Sequence, residues 1–437
     1  MRKGASRARA AIGRTAGPKG WGTGKDSSLS RVTTSATPRL FSRDFLIVAA
    51  STLLFFTSFA MSLPVVPRYF VDVLGRGEAV VGLVFGANAL AAVLARPMIG
   101  RIGDRHSRRV LLVGGSLLTA AGLAAHVWAD TTTLLVLARL VTGTGQAAVM
   151  VAATTIALDL TPAIRRGEAS SYIMAAVQLG LGTGPLLGEL VLMRASYDAV
   201  WLLSALGALV CLVTALRLAP EPRREPPLER ARLVHPAGVR PGVVLGIGAI
   251  GFIGYLAFVP LFGEEVGLAQ VGPLFLVSSG TIALVRALAA RLPDRLGPVR
   301  GASIALVLVA VGLLGMAAWR TPLGLYTMTF VMATGSALLF PSLMLAATSS
   351  VPESERARAL ATFTVFIDVT GAIGPSVLGL LVAVGGYAGA FAVAGVAAIA
   401  ALGLLRGWLA PWLAHQQPTD GPPGPGHRPD AWSPKPR

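Results

Sequence analysis

The stretch Gly100-Arg101-Ile102-Gly103-Asp104-Arg105-His106-Ser107-Arg108-Arg109 is flanked on both sides by apolar runs too long for a soluble core. A string this charged between two such runs reads as a tight loop where a chain leaves a membrane and turns back. It returns in weaker form as Ala290-Arg291-Leu292-Pro293-Asp294-Arg295-Leu296-Gly297. Arg96, Arg101, Asp104 and Arg105 match Arg286, Arg291, Asp294 and Arg295 at a constant offset of 190 residues. The chain therefore reads as two related halves, each built around one such hairpin.

Composition agrees. The 437 residues are 54% hydrophobic and only 14% charged, with a mean hydropathy of +0.67. A soluble domain carries charge on about a quarter of its residues. Repeated apolar runs of about 20 residues suffice to cross a bilayer core of about 30 Å as helix. These runs are continuous rather than alternating, which argues against a β-barrel. The net charge of +17 sits in short loops and two tails. That placement fits membrane topology and anionic lipid better than nucleic acid. Cys211 is the only cysteine and lies in an apolar run, so no intramolecular disulfide can form. No CxxC, HExxH or Walker pattern occurs, and five scattered histidines form no metal-ligand spacing. No cofactor, metal or catalytic residue is expected.

Residues 1–42 are polar and rich in Arg, Ser, Thr and Gly, and read as a disordered basic cytoplasmic tail. This leader is too long and too basic for a typical cleaved signal peptide. Six spans are expected in a first bundle, residues 43–218, near 44–63, 78–99, 109–128, 131–158, 168–191 and 198–217. A cytoplasmic linker over 219–240 carries the helix-breaking Pro-Glu-Pro-Arg-Arg-Glu-Pro-Pro. Six more spans follow in a second bundle, residues 241–410, near 241–263, 270–290, 300–319, 322–348, 360–385 and 388–409. Residues 411–437 read as a disordered Pro-rich cytoplasmic tail. Arginines favour the loops after even-numbered spans by about four to one, which puts those loops and both termini in the cytoplasm. Gly145, Pro162, Arg166 and Gly184-Pro185 return 190 residues later as Gly335, Pro352, Arg356 and Gly374-Pro375. Six spans per repeat give both halves one orientation, a duplication typical of transporters that rock two bundles about a midplane cavity.

Three motifs resemble those of the major facilitator superfamily (MFS), over essentially the whole length of the chain. Gly100-x-x-x-Asp104-Arg105-x-Ser107-Arg108-Arg109 is similar to its signature loop between spans 2 and 3, with serine at 107 where glycine is usual. Arg139-x-x-x-Gly143-x-Gly145-x-Ala147 resembles its span 4 motif. Gly180-x-x-x-Gly184-Pro185-x-x-Gly188 resembles the motif associated with antiporters, and Leu63-Pro64-Val65-Val66-Pro67 also resembles the drug/proton antiporter group. The resemblance implies an all-α membrane protein of the MFS fold, with 12 transmembrane helices in two parallel-repeat six-helix bundles.

It also implies roles. Gly100, Asp104, Arg105, Arg108, Arg109, Asp294 and Arg295 would form a conformational latch between the halves. Arg139 lies about eight residues into span 4, roughly 12 Å along the helix, where a guanidinium needs a partner or water. The resemblance gives it a part in proton coupling or anion contact. Asp368 lies at similar depth in span 11, and Gln178 stands at its repeat position in span 5. An intramembrane carboxylate is a functional candidate by default, and Asp368 is the first choice of proton carrier. Glu189 joins the coupling candidates but reads as an interfacial, solvated glutamate. Span 1 has no acidic residue between Phe45 and Leu63, where several drug antiporters of the family use a carboxylate. Lining of the cavity by spans 1, 4, 7 and 10 is implied. The polar and aromatic set Thr57, Ser58, Asn88, Gln146, Gln178, Phe252, Tyr255, Tyr326, Thr329 and Phe330 suits an amphipathic organic molecule.

The resulting expectation is a secondary active transporter of the plasma membrane (bacterial inner membrane), exporting a small organic compound against inward proton flow by alternating access. Its partners would be a small-molecule substrate, protons and the lipid bilayer, with no nucleic acid, and it would work as a monomer. Proton-coupled import of a sugar or organic acid on the same fold stays open as the alternative. A membrane-embedded enzyme or sensor would need a catalytic dyad, a metal site or a signalling domain, none of which is visible.

Overall fold

The computed structural model describes residues 41–105, 107–162, 165–217, 234–289, 292–349 and 351–416. Residues 1–40 of the expected tail, most of the 219–240 linker and residues 417–437 lie outside them. Among the described residues every regular element is helical.

The first half holds α1 (Arg43–Arg68), prolonged by a π-turn to Val73, then α2 (Glu78–Arg105), α3 (Arg108–Ala125), α4 (Thr132–Asp159), α5 (Arg166–Arg194) and α6 (Tyr197–Leu216). The second holds α7 (Pro236–Glu265), α8 (Gly272–Leu288), a short α9 (Leu292–Leu296), α10 (Pro298–Ala318), α11 (Pro322–Thr348) and α12 (Glu353–Leu404). A π-turn, Leu405–Leu409, leads into α13 (Ala410–Gln416). Nine helical segments are long and apolar enough to cross a membrane, and two shorter apolar helices, Tyr197–Val213 and Gly272–Leu288, accompany them among the described residues. The last long segment turns at Gly386, whose φ of 67° only glycine adopts freely.

Several boundaries differ from the sequence reading. The charged stretch expected to be a loop is mostly helix: α2 runs through Arg105, and only residues 106 and 107 separate it from α3. Arg101 is exposed beyond the apolar run, where water satisfies it without ending the helix. α1 continues past Leu63 through Pro64 and Pro67, because a membrane helix tolerates proline where neighbouring helices pack around it. α7 starts at Pro236, inside the expected linker, with His235 as its N-cap. Residues 411–416, placed in a tail by their prolines, are helical, and Arg240 stacks between Trp408 and Trp412 at 5.1 Å from each ring.

The repeat persists in three dimensions. Thr131 caps α4 by accepting from the Leu134 N–H (3.3 Å), and Thr321 caps α11 by accepting from the Gly324 N–H (3.1 Å). Gly145 backs onto Gly115, and Gly335 backs onto Ala305, each pair shifted by 190. Within the first half α1 packs on α5 and α6, and α4 on α2 and α3. Within the second half α7 packs on α12, and α10 on α11 and α12. The halves meet where α2 crosses the first arm of α12, where α5 crosses α8, and where α1 meets α7.

The cores are arranged unequally along these contacts. Toward the arginine-poor end one apolar cluster spans both halves, with Val65, Phe70, Phe258, Phe262 and Phe391 among its members. Toward the arginine-rich end each half keeps its own cluster, one around Phe45, Ile99 and Ile156, the other around Leu245, Leu306 and Leu343. The molecule is therefore sealed at one end and divided at the other.

Candidate functional site

Among the described residues two charged clusters join the halves. At the sealed end Arg68, from the last turn of α1, pairs with Glu189 of α5 (2.9 Å) and with Glu264 at the end of α7. Glu189 also accepts the backbone N–H groups of Val271 (2.9 Å) and Gly272 (2.5 Å), which begin α8. Its side chain is 3% exposed. One carboxylate thus neutralises a buried guanidinium and caps a helix of the other half, where the helix dipole favours negative charge. Glu189 is not the solvated, interfacial glutamate expected from its position. The three charges lie at one depth near the ends of their helices, and that matched depth was the signal in the sequence.

The second cluster lies nearer the divided end. Arg96, in α2, forms a two-pronged ion pair with Asp368 in the first arm of α12, Nη2 to Oδ1 at 2.7 Å and Nη1 to Oδ2 at 2.5 Å. A planar guanidinium matches a carboxylate in this way, and a lysine could not. The helices come close enough because Gly82 and Gly86 of α2 back onto the Pro375 and Ala372 carbonyls. Arg96 counted toward the repeat in the sequence, but nothing there paired it with a residue 272 positions away.

A cavity of about 380 Å³ opens between α5 and α8, lined by Ser170, Tyr172, Met174, Gln178, Arg286 and Ala287 among others. Of the expected cavity set, Gln178 lines it. The others are distributed through the helix contacts. Asn88 donates to Gln146 (2.9 Å) between α2 and α4, and Thr57 meets Thr183 (3.4 Å) between α1 and α5. The Thr329 hydroxyl donates to Tyr255 (3.2 Å), both fully buried. Phe252 and Tyr326 pack against apolar clusters, and Phe330 is exposed on α11. Ser58 bonds to its own helix at Leu54 and faces Gly207 of α6, away from the second half.

The motif residues have local partners. Arg139 is 2% exposed, with Nη2 3.4 Å from the Ser62 hydroxyl and its guanidinium 5.8 Å from the Phe85 ring centre. Gly180, Gly184 and Gly188 seat α5 directly on the α1 backbone at Phe56–Thr57, Thr57–Ala60 and Met61. Pro185 lies inside α5 without ending it. Arg108 pairs with Asp159, and Arg109 donates to the Leu216 carbonyl, so both act within their own half. Among the described residues nothing lies within 4 Å of a Cβ placed on Gly100. Arg295 is exposed, and the side chains of Asp104, Arg105 and Asp294 lie outside the described residues.

The model of the Major Facilitator Superfamily matches residues 48–299 and 244–435. The chain belongs to the major facilitator superfamily. As an MFS protein it is a multi-pass membrane transporter, a class that is not enzymatic and binds small-molecule substrates within the membrane. An uncharacterised MFS-type transporter of Pseudomonas aeruginosa (strain UCBPP-PA14) is 30% identical over 390 residues, covering 82% of this chain and 91% of the relative. The multidrug resistance protein MdtH of Aeromonas hydrophila is 30% identical over 164 residues, covering 38% of this chain and 41% of that protein. Among solved structures, a variant of the nucleoside transporter NupG superposes with a TM-score of 0.73 at 14% identity, over 83% of this chain and 99% of that one. That likeness shows the fold alone.

Proposed function

We propose that this MFS transporter is a proton-coupled exporter of a small organic compound, working by alternating access in the bacterial inner membrane. Counting the two arms of the last long segment separately and adding the two shorter apolar helices gives twelve spans. Both termini and the arginine-rich end then face the cytoplasm.

The Arg96–Asp368 pair carries this reading. It is a carboxylate inside an apolar helix, at the contact that must change when the halves rock. Protonation of Asp368 discharges the carboxylate and leaves Arg96 without a counter-charge, so proton binding loosens the α2–α12 contact. Deprotonation restores it. A proton taken up at one end and released at the other is thereby tied to the relative motion of the halves. The sealed end, held by Arg68, Glu189 and Glu264, and the divided arginine-rich end support this reading: with the arginine-rich end in the cytoplasm, the cavity is reached from inside the cell, where an exporter loads. The antiporter-like motif on α5 and the local similarity to a multidrug resistance protein support the outward direction. The latch is proposed on Gly100, Asp104, Arg105, Asp294 and Arg295, since Arg108 and Arg109 bond within their own half, and Arg139 is proposed for coupling.

The test uses purified protein in liposomes containing a pH-sensitive dye. Lipophilic cations, organic anions, neutral antibiotics and sugars are added in turn. Substrate-dependent proton movement opposite to the substrate is the expected result. Movement in the same direction makes the protein a symporter, and substrate flux without proton movement removes the coupling.

A further inference from the structure

The repeat places Arg286 of α8 where Arg96 stands in α2, and Gln178 of α5 where Asp368 stands in α12. The fold honours that correspondence: α2 crosses the first arm of α12 at one contact between the halves, and α5 crosses α8 at the other. At the first contact the arginine is satisfied by a carboxylate in two-pronged geometry. At the second the carboxylate is replaced by a neutral amide, and a cavity of about 380 Å³ stands between the helices. Among the described residues Arg286 has no ion pair or hydrogen bond, and it opens onto this cavity.

Arg286 stands in the last turn of α8 and is exposed toward the cavity, where an anion or water must meet its guanidinium. The cavity wall adds hydroxyls from Ser170, Ser171 and Tyr172, the Gln178 amide, and apolar surface from Met174 and Ala287. This set offers one fixed positive charge, neutral donors on Ser170, Tyr172 and Gln178, and an apolar floor, the Ser171 hydroxyl donating to the Gly167 carbonyl of its own helix. We infer that the cavity between α5 and α8 binds the anionic head of an amphipathic substrate, a carboxylate or phosphate on an apolar body, with Arg286 as its counter-charge. The substrate supplies the anion that Asp368 supplies at the repeat-related site. A guanidinium reads such a head through two parallel hydrogen bonds, and the apolar body lies against Met174 and the helix faces. The inference rests on the transport reading above and narrows its substrate to organic anions.

The experiment measures binding by the full chain in detergent, separately from transport. Three probes share one apolar body: naphthalene-2-carboxylate, naphthalene-2-carboxamide and 2-naphthylmethylammonium. The wild type is expected to bind the carboxylate at least about tenfold more tightly than either of the others, as charge-assisted pairing allows. Arg286→Gln should abolish that preference and Arg286→Lys should keep part of it. Gln178→Glu supplies the missing carboxylate without removing the arginine. It should weaken carboxylate binding at least about tenfold while the protein stays as stable as the wild type, because it rebuilds the pair seen at Arg96. A wild type with no preference for the carboxylate, or a preference indifferent to both Arg286→Gln and Gln178→Glu, overturns the inference. Titration in micelles doped with phosphatidylglycerol separates the two sources of such an anion. Competition by the lipid identifies a lipid head group, and its absence identifies a soluble anion; either keeps an anion at Arg286. Carboxylate binding without transport in liposomes would sink the transport reading and leave the site. Transport of cations or neutral compounds that ignores Arg286→Gln would do the reverse.

Discussion

Arg68 and Glu189 form a buried ion pair at 2.9 Å that ties α1 to α5, and the same carboxylate caps α8 of the other half. The pair therefore acts as a clasp across the end of the molecule where a single apolar core spans both halves. Glu189→Gln leaves Arg68 with Glu264 alone and weakens the cap. Breaking a buried pair costs several kcal/mol when one charge is stranded, and the remaining glutamate reduces that here to about 2 kcal/mol. The expected outcome is opening at the arginine-poor end. Electron-spin distance measurements between labels at Arg194 and Leu323 should show a longer, broader distribution in the variant. A distribution unchanged from that of the wild type would show that the clasp does not hold this end shut.

Asp368→Asn keeps the shape of the side chain and removes its titration. It should leave the protein folded and lower substrate-driven proton flux at least about tenfold, equivalent to about 1.4 kcal/mol at the coupled step. Liposomes with an internal pH dye read this directly. Wild-type proton flux in the variant removes Asp368 from the mechanism.

Arg139 is buried with one long hydrogen bond to Ser62 and a ring contact with Phe85. Such a charge contributes little to stability, and replacing weakly compensated buried charges by apolar side chains is often stabilising by about 1–4 kcal/mol. Arg139→Met should therefore melt no lower than the wild type in detergent while losing transport. A lower melting temperature with transport intact would make the arginine a packing residue.

Two signature glycines should behave oppositely. A Cβ at Gly188 runs into the Met61 carbonyl, whereas one at Gly100 meets nothing within 4 Å among the described residues. Gly188→Ala is expected to push α5 off α1 and cost about 1–3 kcal/mol. Gly100→Ala should be neutral or stabilising by about 0.5–1 kcal/mol, the ordinary gain of replacing a helical glycine. Thermal unfolding of the two variants side by side checks the contrast, and equal losses would contradict it.

Asp104→Asn addresses the latch. Slower turnover with near-unchanged substrate binding is expected, measured as maximal rate against half-saturation in the same liposomes. An unchanged rate would end the latch proposal.

The class, the duplication and the sidedness of the charges were all legible in the amino-acid order. Each rests on composition or spacing: apolar runs long enough for a bilayer, a shift of 190 residues that matches charges to charges, and arginines segregated to alternate loops. Which charges meet depends instead on how the helices pack. Arg96 and Asp368 are 272 residues apart, and no local pattern links them; they pair because glycines on α2 let a helix of the other half approach. The same holds for Glu189, whose position near a helix end suggested water. Its burial depends on Arg68 and the start of α8 closing over it, and a one-dimensional reading of depth cannot see which helix stands opposite.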